Sequence, residues 1–199
     1  YLEYGNTELS HLKKADKQLG RVIERVGFIK REVTPDIFEA IIYSIVGQQI
    51  SPKAAKTVCN RLKDRLQWIT PASIKDANNE LLRSCGISGR KVSYINGIAD
   101  AVYSGYLDIK RLDDLSDEEV VKRLVVLPGV GIWTAEMILI FSMCRPDIVS
   151  FGDLAIRRGM MHVYGLDSLS KEQFMNIRNR YSPYGTVASL YLWEAAKEK

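Results

Sequence analysis

Cysteine is scarce in this chain of 199 residues, and Cys59, Cys85 and Cys144 are an odd number with no metal-ligand spacing. That excludes a disulfide scaffold, argues against a zinc site or an iron–sulfur cluster, and fits free thiols in a reducing, intracellular compartment. Strand-like alternation is almost absent; Ile148-Val149-Ser150-Phe151 is too short to build a sheet. The apolar pattern calls for no membrane reading, no internal repeat or low-complexity linker interrupts it, and no signal peptide is visible. The chain starts at Tyr1 instead of Met, so a few preceding residues are expected to have been trimmed. Neither sign of charge dominates: 28 Lys and Arg against 24 Asp and Glu leave +4, which is compatible with a polyanionic partner without requiring one. The two histidines, His11 and His162, stand alone and read as structural or exposed.

What is present is helical periodicity, nearly everywhere. Leu9, Leu12, Leu19, Val22, Ile23 and Val26 mark one helix, and Ile37, Phe38, Ile41, Ile42, Ile45 and Val46 mark a second, more buried one. Pro52 opens a helix carrying Ala54, Ala55, Val58, Leu62 and Leu66, and Val92, Ile95, Ala99 and Val102 continue the pattern after Gly89. Ser116-x-x-Glu119 and Ser170-x-x-Gln173 are capping boxes, and Val187, Leu190 and Tyr191 line a last helix. The fold class is all-α. The pattern breaks from Lys30 to Pro35 and at Arg145-Pro146-Asp147, which makes these the expected domain crossings.

Between two of these helices lies Leu127-Pro128-Gly129-Val130-Gly131-Ile132-Trp133-Thr134. Val120, Val121, Leu124 and Leu127 precede the turn and Trp133, Met137, Ile140 and Phe141 follow it, so a rigid corner is bracketed by packed helices. The backbone N–H groups of Gly129, Val130, Gly131 and Thr134 are then presented to an incoming phosphate that no side chain blocks. Carbonyls on the inner side of such a turn can coordinate a hard or monovalent cation. About twenty residues on comes Phe151-Gly152-Asp153-Leu154, and Arg157 and Arg158 lie one turn later; these arginines and Lys53 and Lys56 read as solvated helix faces or as phosphate contacts. Asp153 either caps the helix that starts at Leu154, or serves chemistry, or does both.

The chain resembles the helix-hairpin-helix DNA glycosylases, and within them the 3-methyladenine (alkylpurine) DNA glycosylases. The resemblance is carried by the hairpin, by Gly152-Asp153, by Val46-Gly47-Gln48-Gln49-Ile50-Ser51, and by Pro183-Tyr184-Gly185 through Leu192-Trp193. It implies two helical domains with the active-site cleft between them: a central helical barrel, 33–147, ending in the hairpin, and a second domain built from 1–32 and 148–199. It places Asp153 on the family's catalytic aspartate and Trp133 where bifunctional relatives carry a nucleophilic lysine. It also puts the carbonyls of Val125, Leu127 and Val130 on a structural monovalent cation, sodium or potassium, and makes Gln49, with Gln48 beside it, the wedge that fills the gap left by a flipped nucleotide. The pattern departs from the family at Met137, where a pocket tyrosine can occur, at Ser150, where proline is frequent, and at Gly185, where arginine is common.

The chemistry agrees. Breaking a deoxyribose N-glycosidic bond develops positive charge on the sugar, which a carboxylate in a dry site stabilises. An N-alkylated purine leaves as a neutral base and needs no strong general acid, and none is apparent. A cationic purine is attracted by aromatic faces, for which Trp133, Trp193, Tyr43 and Tyr184 are candidates, though each can equally be core. An indole at position 133 cannot form a Schiff base. The expectation is a monofunctional glycosylase that removes alkylated purines such as 3-methyladenine or 7-methylguanine from damaged double-stranded DNA by base flipping. It would act as a monomer, without membrane attachment, in the bacterial cytoplasm or nucleoid or in the eukaryotic nucleus. Two alternatives stand: a non-catalytic helix-hairpin-helix DNA-binding module, and a glycosylase for another lesion.

Overall fold

The structure, a computed structural model, describes residues 1–198, and among them there are twelve α-helices, one 3₁₀ turn and no strand. The chain divides into two compact units, 1–33 with 144–199, and 34–143.

The first unit opens with α1 (Asn6–Ala15) and α2 (Lys17–Val26). The sequence pattern reads as one helix here, and the structure breaks it at Asp16. That residue takes an extended conformation (φ −143°, ψ 111°) and turns its Oδ1 onto the backbone N–H groups of Gln18 and Leu19. An aspartate in a helix interior competes for the backbone in this way, and as a cap it starts the next helix instead. Its Oδ2 accepts from the Tyr164 hydroxyl at 2.7 Å and pairs with Arg180 at 3.3 Å, so the buried carboxylate is partnered on both oxygens.

The 34–143 unit is built around α3 (Ile37–Gly47), which Asp36 caps through the Glu39 N–H at 2.8 Å. Seven of its eleven residues are buried, as expected for a helix with packing partners on several sides, here α4 (Pro52–Leu66), α7 (Gly89–Tyr103) and α9 (Ile132–Phe141). The short helices α5 (Pro71–Asp76) and α6 (Asn79–Ser84) line α7, and α8 (Asp117–Leu124) starts from the Ser116/Glu119 capping box and packs on α9.

After residue 143 the chain rejoins the first unit with α10 (Leu154–Tyr164), α11 (Lys171–Arg178) and α12 (Gly185–Ala195). Its core holds Tyr181, Tyr191, Phe174, Leu12 and Leu19, all essentially without solvent exposure. The second crossing falls ahead of Arg145-Pro146-Asp147, not after it. The reason is hydrogen bonding: Arg178 Nη2 donates to the Asp147 carbonyl at 2.7 Å, Ser182 Oγ donates to Asp147 Oδ2 at 2.6 Å, and the Thr186 N–H donates to the Pro146 carbonyl at 2.9 Å. Among the described residues no helix is long and apolar enough to cross a membrane, and the three cysteines are free thiols.

Candidate active site and nucleic-acid interface

The hairpin is a corner held from inside. Past α8, the Leu127 N–H donates to the Leu124 carbonyl and the Val130 N–H to the Leu127 carbonyl, while the Leu127 and Val130 side chains are buried. Gly129 has φ +79°, and a Cβ there would stand 2.5 Å from the Tyr94 ring, so both backbone conformation and packing require glycine. Gly131 is different. Its φ of −94° is ordinary, and a Cβ at this exposed position would meet nothing within 4 Å. Nothing inside the unit demands glycine there, and the turn is open to the outside at this point.

Gly131 is also the N-cap of α9 and supplies no side-chain cap to a helix start whose next residues, Ile132 and Trp133, are 63% and 46% exposed. Uncapped N–H groups with the helix dipole behind them favour an anion. Of the expected backbone donors, the Val130 N–H is already spent on the Leu127 carbonyl, while Thr134 lies in the first turn of α9 with its side chain buried, leaving its N–H as the group a phosphate could meet. The Leu127 carbonyl, an expected cation ligand, accepts that bond and keeps its second lone pair. The expected set of Val125, Leu127 and Val130 oxygens is hard and uncharged, and among the described residues no cluster of three or more His, Cys, Asp or Glu offers an alternative metal site.

At the C-terminal end of α3, Gln48 and Gln49 part company. Gln49 is exposed with φ +58°, a left-handed conformation that non-glycine residues seldom adopt, and Ile50 beside it is also exposed. The Gln48 side chain instead donates from Nε2 to the Gly129 carbonyl at 2.8 Å. Gln48 is therefore a brace between this turn and the hairpin, and only Gln49 projects. Lys91, which belongs to no motif in the sequence, donates from Nζ to the carbonyls of Val46 (2.7 Å) and Gln48 (2.6 Å). A lysine in the first turn of a helix opposes the helix dipole, but Lys17, Lys53 and Lys171 do so as well, so the sequence position alone does not single Lys91 out.

Asp153 is the N-cap of α10 and is 7% exposed. Both cap bonds, from the Ala155 N–H (2.8 Å) and the Ile156 N–H (2.9 Å), go to Oδ1, and Oδ2 takes no part in the cap. Capping and chemistry do not compete, since the cap fixes where the carboxylate points. Ser150 before it is fully buried and Leu154 after it is exposed. Arg157 is not a plain solvated residue: half-buried, it lies over the Phe151 ring at 5.3 Å. Arg158, Lys53 and Lys56 are exposed.

The aromatic candidates separate as well. Trp133 and Met137 lie on α9, one exposed and one half-buried. Tyr43 donates its hydroxyl to Glu39 Oε1 at 2.6 Å, and Glu39 lies 3.5 Å from Lys63 on α4; burial and that carboxylate push the phenol up. Its polar end is thus committed within the unit. Tyr184 meets the His11 ring edge-on at 5.1 Å, and Trp193 is half-buried on α12. Gly185 leaves no room for the arginine common in the family, because a Cβ would lie 2.7 Å from Asp147 Oδ1, the atom that accepts the Gly185 N–H.

Residues 42–183 match the HhH-GPD superfamily of base excision DNA repair proteins. The chain is 33% identical over 195 residues to DNA-3-methyladenine glycosylase 1 of Schizosaccharomyces pombe, covering 94% of this chain and 86% of that protein. It is 29% identical to the alkylbase DNA glycosidase-like protein mag2 of the same yeast, covering 94% and 92%. Among solved structures, DNA-3-methyladenine glycosidase of Bacillus halodurans superposes with a TM-score of 0.86 at 34% identity, over 96% of this chain and 89% of that one. The Schizosaccharomyces pombe 3-methyladenine DNA glycosylase in complex with abasic DNA superposes with a TM-score of 0.84 at 32% identity, over 97% and 98%. With its hairpin, its capped aspartate and a match across most of its length, the chain belongs to the HhH-GPD superfamily of base excision DNA repair proteins.

Proposed function

We propose that this protein is a DNA-3-methyladenine glycosylase that hydrolyses the N-glycosidic bond of alkylated purines in duplex DNA and leaves the strand intact. The observation that carries the reading is Asp153, a buried carboxylate fixed by its own helix cap in a chain that also carries a bare, exposed hairpin glycine. A protein that only held DNA has no use for a carboxylate near a polyanion. As the base departs, positive charge builds on the sugar, and a pre-oriented carboxylate stabilises it and orients water. The purine leaves neutral, so no proton donor is required.

DNA backbone is held at Gly129 and Gly131, with N–H groups at the start of α9 facing phosphate. The carbonyls of Val125, Leu127 and Val130 would hold a sodium or potassium ion that offsets phosphate charge. Gln49 fills the space left by the displaced nucleotide. Trp133, Met137, Tyr184 and Trp193 supply the faces for a cationic base, with Tyr43 contributing only its ring. The absence of an amine at position 133 removes the lyase step. An enzyme of this kind works as a monomer on cellular DNA, in the bacterial nucleoid or the eukaryotic nucleus.

The test is incubation with duplexes each carrying 3-methyladenine, 7-methylguanine, an etheno-adduct or hypoxanthine, scored for abasic sites by alkali cleavage. Release of at least one alkylated purine by wild type, lost in Asp153→Asn, is the expected result. Tight binding with no release from any duplex would leave a non-catalytic binding module.

A further inference from the structure

Helices usually end with carbonyls satisfied by water or a left-handed glycine. At the end of α3 the Lys91 amine, reaching over from α7, takes this place on the carbonyls of Val46 and Gln48. Gln48 extends the connection by donating its side-chain amide to the Gly129 carbonyl. Gly129 in turn rests on Tyr94, three residues after Lys91 on α7, and on Ile45 of α3. The contacts close a ring: α7 to Lys91, to Gln48, to the hairpin, to Tyr94, and back to α7. Directly outside this ring stands Gln49 in its left-handed conformation, which persists only where neighbouring structure over-determines it.

We propose that Lys91 is a positioning residue for base displacement: through the Val46 and Gln48 carbonyls it holds the Gln49 turn rigidly against the phosphate-binding hairpin. Anchoring the backbone at the hairpin then sets how far Gln49 enters the helix stack. Burial pulls the Lys91 pKa below the ordinary lysine value, in keeping with an amine sunk among carbonyls instead of one held in solvent. The inference rests on the wedge assignment of Gln49, and the experiment separates the two.

The probe is a duplex carrying a tetrahydrofuran abasic analogue with 2-aminopurine beside it, which brightens when unstacked. Lys91→Met is expected to lose more than half of the brightening at saturating protein and to slow single-turnover release of 3-methyladenine about tenfold, while the Kd for undamaged duplex stays within about twofold. Lys91→Arg, which also donates to two carbonyls, restores most of both. Gln49→Ala loses the brightening, and combining it with Lys91→Met adds nothing further, as required of residues acting in one unit. Full brightening in Lys91→Met together with its loss in Gln49→Ala overturns the role of Lys91 and leaves the wedge intact. Full brightening in Gln49→Ala overturns the wedge itself. If Lys91→Met does not fold, Gln48→Leu decides, because it cuts the link to Gly129 and keeps the lysine; brightening equal to wild type would sink the proposal.

Discussion

Helices α9 and α10 both start at glycine-containing turns, yet they are finished in opposite ways. At α10 the chain closes its own end: Asp153 folds over two N–H groups and is almost fully buried. At α9 the cap position is Gly131, which contributes no side chain although its backbone (φ −94°, ψ 174°) suits a capping residue and a Cβ there would be unobstructed. A helix start left bare keeps its N–H groups open to an anion. A start sealed by a buried carboxylate is a place where charge has been fixed.

Removing the charge at the sealed end has the largest expected effect. Asp153→Asn keeps a good cap, so thermal stability should change by less than about 1 kcal/mol. Base release should fall on the order of a hundredfold or more, because one electrostatic stabiliser is lost. Near-normal turnover of methylated DNA would end the assignment of Asp153 to the chemistry.

The two hairpin glycines sharpen the contrast. Gly129→Ala forces a Cβ into the left-handed region and against Tyr94, which should lower stability by about 1–3 kcal/mol or more in thermal unfolding. An unchanged melting temperature would show that the hairpin yields and is no rigid corner.

Gly131→Asp converts the open end into a copy of the sealed one. Because glycine is already a tolerable N-cap, the new cap should stabilise the fold by only roughly a few tenths of a kcal/mol. Binding to all duplexes, damaged or not, should weaken roughly tenfold, about 1.4 kcal/mol, through bulk and like charge. Gel-shift titrations showing loss only for damaged DNA would move Gly131 from the phosphate to the base.

The smallest expected signal is none at all. Trp133 cannot form an imine, so borohydride added during turnover should trap no complex, and the strand should stay whole until alkali is applied. A trapped adduct would reveal an amine that reaches the sugar, and mapping it would name the lysine.

What the sequence determined by itself is local. Helical periodicity, the Ser116 and Ser170 capping boxes, the Pro-Gly-x-Gly corner and an aspartate before an apolar run all depend on residues a few positions apart. Such patterns therefore survive reading in one dimension. The sequence had no means of breaking the first helix at Asp16, because the partners that hold that carboxylate, Tyr164 and Arg180, are 148 and 164 residues away. For the same reason the contacts of Gln48 and Lys91 are not legible in the sequence: an amide and an amine acquire them only when a carbonyl 81 or 45 residues distant is folded against them. Tertiary structure decided these points because a buried polar atom must find a hydrogen-bond partner, and the chain packing, not the sequence neighbourhood, supplies it.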